Sequence, residues 1–223
     1  MALTNQERSR VINCCNRDIV PDPNFNRDDQ YISDWFVEYF SYTNNQSLKK
    51  QLGEAFYQAR FNYKMMNVLQ LPLYKQRGIV KFQIIQYASI CEAILDYTIT
   101  SFFKAELKST FFDVEYTNFP NALSNNTEIT NLGEKLFVCK KKTREKPLKF
   151  VRIGDKTDFA VRKLIISNDI KLKVDALYDL RNNVHILKAT EVEYYPKLKE
   201  AKEAFLLMQE FVQQTKNYFQ THA

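Results

Sequence analysis

Along most of the chain, apolar positions recur at three- and four-residue steps, the period of helices packed on one side. Residues 1–27 carry this period weakly, and "VPDPNFNRDDQ", with its prolines and Asn/Asp cluster, reads as a connection. Ile32, Trp35/Phe36 and Tyr39/Phe40 predict an amphipathic helix, capped by Asp28 or Asp29 and ending near Asn44. From Gln46 the period runs through Leu48, Leu52, Ala55/Phe56, Ala59 and Tyr63 until Pro72 interrupts it. The strongest helix lies at about 75–105, where Ile84/Ile85, Ala88, Cys91, Leu95, Thr98/Ile99 and Phe102 form a continuous stripe. That segment is apolar enough to be buried on more than one face, which predicts the central core helix.

Further on, "DFAVRKLIIS" reads as a short helix, and Ser167, Asn168 or Asp169 caps another through "IKLKVDALYDLRNNVHI". A capping-box pattern, Thr190-Glu191-Val192-Glu193, precedes a long helix with Leu198, Ala201, Phe205, Met208, Val212, Thr215 and Phe219 in a/d-like spacing; Pro196 leaves its start open. Between about 106 and 156 the period disappears. Short alternation in "KLFVCK" and "LKFVRI", with "KKTREKP" between, predicts a small β-hairpin carrying positive charge at its tip. The expected fold is thus mainly α: an antiparallel helical bundle with a small β-hairpin or loop insertion. Residues 1–74 form an N-terminal helical region, and 75–223 a bundle with a basic insertion at about 106–156.

Composition sharpens this picture. Four glycines in 223 residues disfavour Gly-rich phosphate loops and hairpin-dense all-β folds. The net charge of +6 is concentrated: from Lys135 to Lys156, nine Lys/Arg stand against Glu145 and Asp155, giving +7, while the remainder sums to −1. Such a patch suits a polyanion, with Lys140, Lys141, Lys142, Arg144 and Lys146 as candidate nucleic-acid contacts; a solvated basic loop is the plainer alternative. Cys14, Cys15, Cys91 and Cys139 lack metal-ligand spacing, and with two histidines no metal or other cofactor is expected. The polar N-terminus and the lack of a long unbroken apolar run predict a cytoplasmic protein without a membrane partner.

The remaining chemistry sits in "ALYDLRNNVHILK". On a helix, Leu177, Leu180, Val184 and Leu187 are expected to form the buried face, and Tyr178, Arg181, Asn182 and His185 the neighbouring one. Arg181 and His185, four apart, have adjacent side chains and so can act on one phosphate. Metal-free RNA cleavage, in which a 2′-hydroxyl attacks the adjacent phosphorus, needs a group titrating near neutrality and a cation for the developing charge. His185 supplies the first and Arg181 the second, with Asn182 and Asn183 positioning the phosphate or ending the helix. One such histidine is short of an acid-plus-base pair, so a two-fold dimer would complete the site. Glu92, on the central helix, needs a partner if buried and is a candidate to meet Arg181. The plain reading is a helix-end histidine favoured by the dipole, with Arg181 in a surface ion pair.

The run "LIISNDIKLKVDALYDLRNNVHI" resembles the end of HEPN domains (higher eukaryotes and prokaryotes nucleotide-binding), where a helix carries Leu-Arg-Asn followed by His. "QYASICEAILDY" looks like their preceding core helix, and the last helix is similar to the one that closes the bundle. The likeness covers about 75–105 and 155–220. It implies an antiparallel bundle, commonly homodimeric, and a metal-independent endoribonuclease or RNA-binding component of a toxin–antitoxin or phage-defence system, with Arg181 and His185 catalytic and Asn182 beside them. RNA, a second copy, and an antitoxin or defence-system protein are the implied partners. Nuclease members usually place four or more residues between Arg and His; here only Asn182, Asn183 and Val184 intervene. The rival reading is a non-catalytic dimerisation or interaction protein.

Overall fold

Short polar side chains set the helix starts. Thr4 Oγ1 accepts from the Glu7 amide at 3.3 Å while the Glu7 carboxylate accepts from the Thr4 amide at 2.8 Å, a reciprocal cap. Asn45 Oδ1 accepts from the Leu48 amide at 3.1 Å, and Ser167 Oγ from the Ile170 amide at 3.3 Å. The structure is a computed structural model that describes residues 4–17, 19–22, 32–118, 129–131, 134–136, 139–183 and 194–222.

Among the described residues the chain is mainly α, with helices α1 (Asn5–Asn16), α2 (Ile32–Glu38), α3 (Gln46–Val68), α4 (Leu73–Phe103), α5 (Leu107–Thr110), α6 (Ile153–Arg162), α7 (Asn168–Asn183) and α8 (Leu198–His222). Short strands β1 (Phe112–Asn118), β2 (Ile129–Asn131), β3 (Glu134–Leu136) and β4 (Cys139–Glu145) make up the insertion. Two compact units result: Met1–Leu95 with Ile153–Ala223, and Asp96–Arg152.

In the first unit, aromatic residues join the helices. Phe36 and Trp35 of α2 meet Phe56 of α3 at ring separations of 4.9 and 6.3 Å, and Phe205 of α8 lies 6.1 Å from Phe56 and 5.7 Å from Tyr87 of α4. Each such contact adds about 0.5–1.5 kcal/mol beyond the area it buries. The stripe expected on α4 is its buried face: Ile84, Ala88, Cys91 and Leu95 are all excluded from solvent. This helix is also long and apolar enough, in length and composition, to cross a membrane, with half of its apolar stretch buried. Gly53 permits the α2–α3 approach, since a Cβ there would stand 2.7 Å from Val37 Cα. On α8, Ala201, Met208, Val212, Thr215 and Phe219 of the predicted stripe are buried. Thr190 to Glu193 lies outside the described residues.

Two expectations change. The helix from Ile32 stops at Glu38 instead of near Asn44. Beyond it the Phe40 and Ser41 amides turn back to the Val37 and Glu38 carbonyls, and Thr43 caps Phe40 O through both its amide and its hydroxyl. The tight turn leaves Phe40 and Thr43 buried.

The second unit holds the other correction. "KLFVCK" and "LKFVRI" do not pair with each other. β4, which contains the basic run itself, pairs antiparallel with β1, and Leu148–Phe150 is a 3₁₀ turn. The strongest alternation is in "FDVEYTN", whose acids Asp113 and Glu115 face Arg144 and Lys142 across the ladder. Opposite charges in register favour this pairing over one between two basic strands. Positive charge therefore runs along a strand instead of gathering at a tip. β2 and β3 form a separate short antiparallel pair.

Candidate functional site

Helix α7 buries Ile170, Val174, Leu177 and Tyr178, steps of four, three and one that define its inner stripe. Arg181 continues the stripe three residues on, at its half-buried end, with 30% of its side chain exposed. The helix phase thus differs from the sequence expectation: Tyr178 is a core residue, and Leu180 is half-buried at the edge. Two residues put Leu180 about 200° around the helix from Tyr178, so both cannot share the centre of one face. Val184 and Leu187 lie outside the described residues.

Glu92, on α4, lies opposite this end of α7. One carboxylate oxygen is 3.8 Å from Arg181 Nη1 and the other 3.6 Å from Lys156 Nζ on α6. The Lys156 side chain is fully buried, and Glu92 retains one-third exposure. Three helices thus each bring one of these charged residues to the same place. The Arg181 guanidinium also lies over the Tyr178 ring, 5.2 Å from its centre. The Tyr178 hydroxyl is shielded from water and makes no hydrogen bond of ordinary geometry, with the Glu92 carboxylate as its charged neighbour. Burial first, and the Glu92 charge second, push this phenol well above its usual range. It stays protonated at neutral pH, available as a donor.

Asn182 is exposed and Asn183 half-buried in the last turn of α7; His185 lies outside the described residues. Ser167, at the other end of the helix, exchanges hydrogen bonds with Gln214 of α8: its amide donates to Oε1 at 2.8 Å, and Nε2 donates to its Oγ at 3.3 Å. On α6, Thr157 Oγ1 donates to Asp175 at 2.8 Å, and Lys171 bridges Asp158 and Asp175 at 3.2 and 2.9 Å. These contacts fix the faces that α6 and α7 turn towards Glu92.

Lys156 is the residue that sequence reasoning missed, because it was counted with the solvated basic run. Its signal was the helical stripe Lys156, Phe159, Ala160, all buried at i, i+3 and i+4. A cavity of about 410 Å³ between α7 and α8 is floored by Leu177, Ala204 and Leu207, and rimmed by Glu200, Glu203, Glu210 and Lys173. Its acidic rim repels phosphate, so it does not extend the Arg181 cluster as a nucleic-acid site. Among the described residues, no three His, Cys, Asp or Glu side chains are grouped to hold a metal.

In the hairpin unit, Lys141, Lys142 and Arg144 are exposed and Lys146 is half-buried, while Lys140 lies on β4. Arg144 is 3.8 Å from Glu115, and Lys146 is 3.2 Å from Asp113. Part of the basic run is therefore neutralised within the hairpin. No family model matches the chain, and no curated protein or solved structure matches it either.

Proposed function

We propose that the chain is an HEPN-like protein acting on RNA, a metal-independent endoribonuclease of a toxin or phage-defence system that works as a cytoplasmic homodimer. His185 moves the proton: it takes it from the attacking 2′-hydroxyl or returns one to the leaving 5′-oxygen. Arg181 stabilises the charge that builds on the phosphorane, and Asn182 positions the phosphate. The second copy's histidine completes the acid-plus-base pair, and the products are a 2′,3′-cyclic phosphate and a 5′-hydroxyl.

The observation that carries the reading is the restraint on Arg181. Its guanidinium is held from two sides, by Glu92 and by the Tyr178 ring, at the end of the helix that bears the motif. Such a group meets a phosphate without first losing its side-chain freedom, which is how pre-positioned cations contribute to rate. A second reading has its own support. Glu92 already balances Arg181, as it would in a bundle whose Arg181 serves packing and whose surface serves partner binding.

Cleavage of a mixed tRNA and mRNA substrate in EDTA separates the two. Wild type should cut, and Arg181→Ala and His185→Ala, shown to be folded by circular dichroism, should not. Equal cutting by all three, or none by any, would leave the interaction-protein reading in its place.

A further inference from the structure

Helix α3 ends in a Schellman turn. The Gln70 and Leu71 amides donate to the Asn67 and Met66 carbonyls at 3.1 and 3.2 Å, with Gln70 in the left-handed region at φ 46°. Pro72 follows, and Gln76 Nε2 donates to the Leu71 carbonyl at 2.6 Å, tying the turn to the start of α4. A turn of this kind commonly folds one apolar residue back on its own helix. Leu71, half-buried, is in that position. Val68, Leu69, Leu73 and Tyr74 are left 37%, 48%, 79% and 66% exposed. So much apolar surface on one short turn calls for an occupant.

Charge on the same tip identifies the occupant. Lys64 on α3 and Lys75, Arg77 and Lys81 on α4 flank the turn, and no Asp or Glu lies between Glu54 and Glu92. The cations share the side of the apolar residues: Lys64 is one helical turn from Val68, Arg77 one turn from Leu73, and Lys81 two turns from Tyr74. The Lys75 ammonium lies 5.7 Å from the centre of the Tyr74 ring. Arg77 stacks over Tyr195, 4.4 Å from its ring centre, and Tyr195 is itself 59% exposed. Among the described residues, the Lys75 and Arg77 heads thus contact rings and no carboxylate. Side chains of a helix lean towards its N-terminus, so those of the first turn of α4 lean towards the tip.

Leucines at the turn, tyrosines beside them and cations behind match the depths at which a bilayer surface receives these side chains. Anionic headgroups attract the cations while the aliphatic groups enter the acyl boundary. A second copy of the tip would set cations against cations. Single-stranded nucleic acid, which stacks on rings, finds aliphatic Val68, Leu69 and Leu73 at the turn.

We infer that the α3–α4 turn docks on the surface of an anionic lipid bilayer, with Leu69 and Leu73 inserted, Tyr74 and Tyr195 at the interface, and Lys75 and Arg77 on the lipid phosphates. α4 keeps Ile84, Ala88, Cys91 and Leu95 buried, so only its start meets lipid. Such a contact lies on the membrane and does not span it; it needs no long unbroken apolar run, and it departs from the expectation of no membrane partner.

The test is co-sedimentation of the full chain with vesicles of phosphatidylcholine alone and of phosphatidylcholine mixed with phosphatidylglycerol in equal parts. The chain should bind the mixed vesicles, and more tightly than the neutral ones. Leu73→Ala, which changes no charge, should weaken binding about tenfold, and Leu73→Met should restore it. Lys75→Gln and Arg77→Gln should each weaken it about fivefold and reduce its salt dependence. Leu164 is 84% exposed but lies beside Tyr218, Thr221 and His222, at the other end of α8 from Tyr195. Leu164→Ala should therefore bind like wild type. No binding by the wild-type chain, equal binding by wild type and Leu73→Ala, or equal losses in Leu73→Ala and Leu164→Ala would overturn the inference. So would a self-association, seen by sedimentation velocity, that Leu73→Ala abolishes while vesicle affinity stays.

Discussion

Removing Glu92 probes the cluster on which the site depends. Its carboxylate oxygens face a fully buried Lys156 at 3.6 Å and a half-buried Arg181 at 3.8 Å. Unit charges at that separation attract by roughly 4–5 kcal/mol at an effective dielectric of about 20. The desolvation of Lys156 opposes this attraction, and Glu92 is one-third exposed, so solvent screens it further. The expected coupling between Glu92 and Lys156 is then about 2 kcal/mol. Glu92→Gln should destabilise by about 2–3 kcal/mol. Lys156→Met keeps the apolar stem and leaves Glu92 its contact with Arg181, and should cost about 1 kcal/mol or less. Urea unfolding of wild type, both single variants and the double variant gives the coupling directly, provided the m-values agree. A coupling within about 0.5 kcal/mol of zero would refute the claim that the two charges act on each other through the core.

Three further expectations concern the frame around the site. Gly53→Ala should cost about 1–3 kcal/mol by pushing Val37 away, whereas Gly78→Ala, with nothing within 4 Å of the added carbon, should stabilise by about 0.5–1 kcal/mol; thermal unfolding distinguishes them. Ser167→Ala removes the α7 cap and its link to Gln214 and should cost about 1 kcal/mol in the same assay. Burial pushes the Tyr39 phenol up to about 12, against the pull of its hydrogen bond with Gln209, and burial also raises Tyr42, Tyr87 and Tyr178. The unfolded chain then releases phenolic protons before the folded one, so stability is complete below about pH 10 and falls as pH rises through 12. Absorbance at 295 nm should show these tyrosines ionising together with loss of helix; ionisation with helicity intact would contradict their burial.

The helices were legible because burial follows period. Ile84, Ala88, Cys91 and Leu95 appear in the sequence as a stripe and in the structure as the inner face of α4. Glu92 was legible as a candidate partner of Arg181 for the same reason, lying beside that stripe on a helix that had to be buried. What failed was local. Tyr178 counted as a polar-tipped neighbour of Arg181, whereas its ring fills the core and only its hydroxyl approaches Glu92. Lys156 was hidden by its charge: a lysine in a basic run looks solvated until the helix phase puts it between Glu92 and the buried Phe159 face. The hairpin was expected from the alternation nearest in sequence, but register is set across strands. The acids that choose the partner of β4 lie more than twenty residues upstream of it.

The central claim is that Arg181 and His185 cleave RNA by attack of the 2′-hydroxyl. The pH–rate profile of wild-type cleavage in EDTA under single-turnover conditions, with analysis of product ends, tests it most directly. The products should carry 2′,3′-cyclic phosphate ends, and the rate should change across a transition near the histidine range, about pH 6–7. His185→Ala should lower the rate by a factor of at least about a hundred. Products lacking cyclic phosphate, or a profile and rate that His185→Ala leaves unchanged, would contradict it.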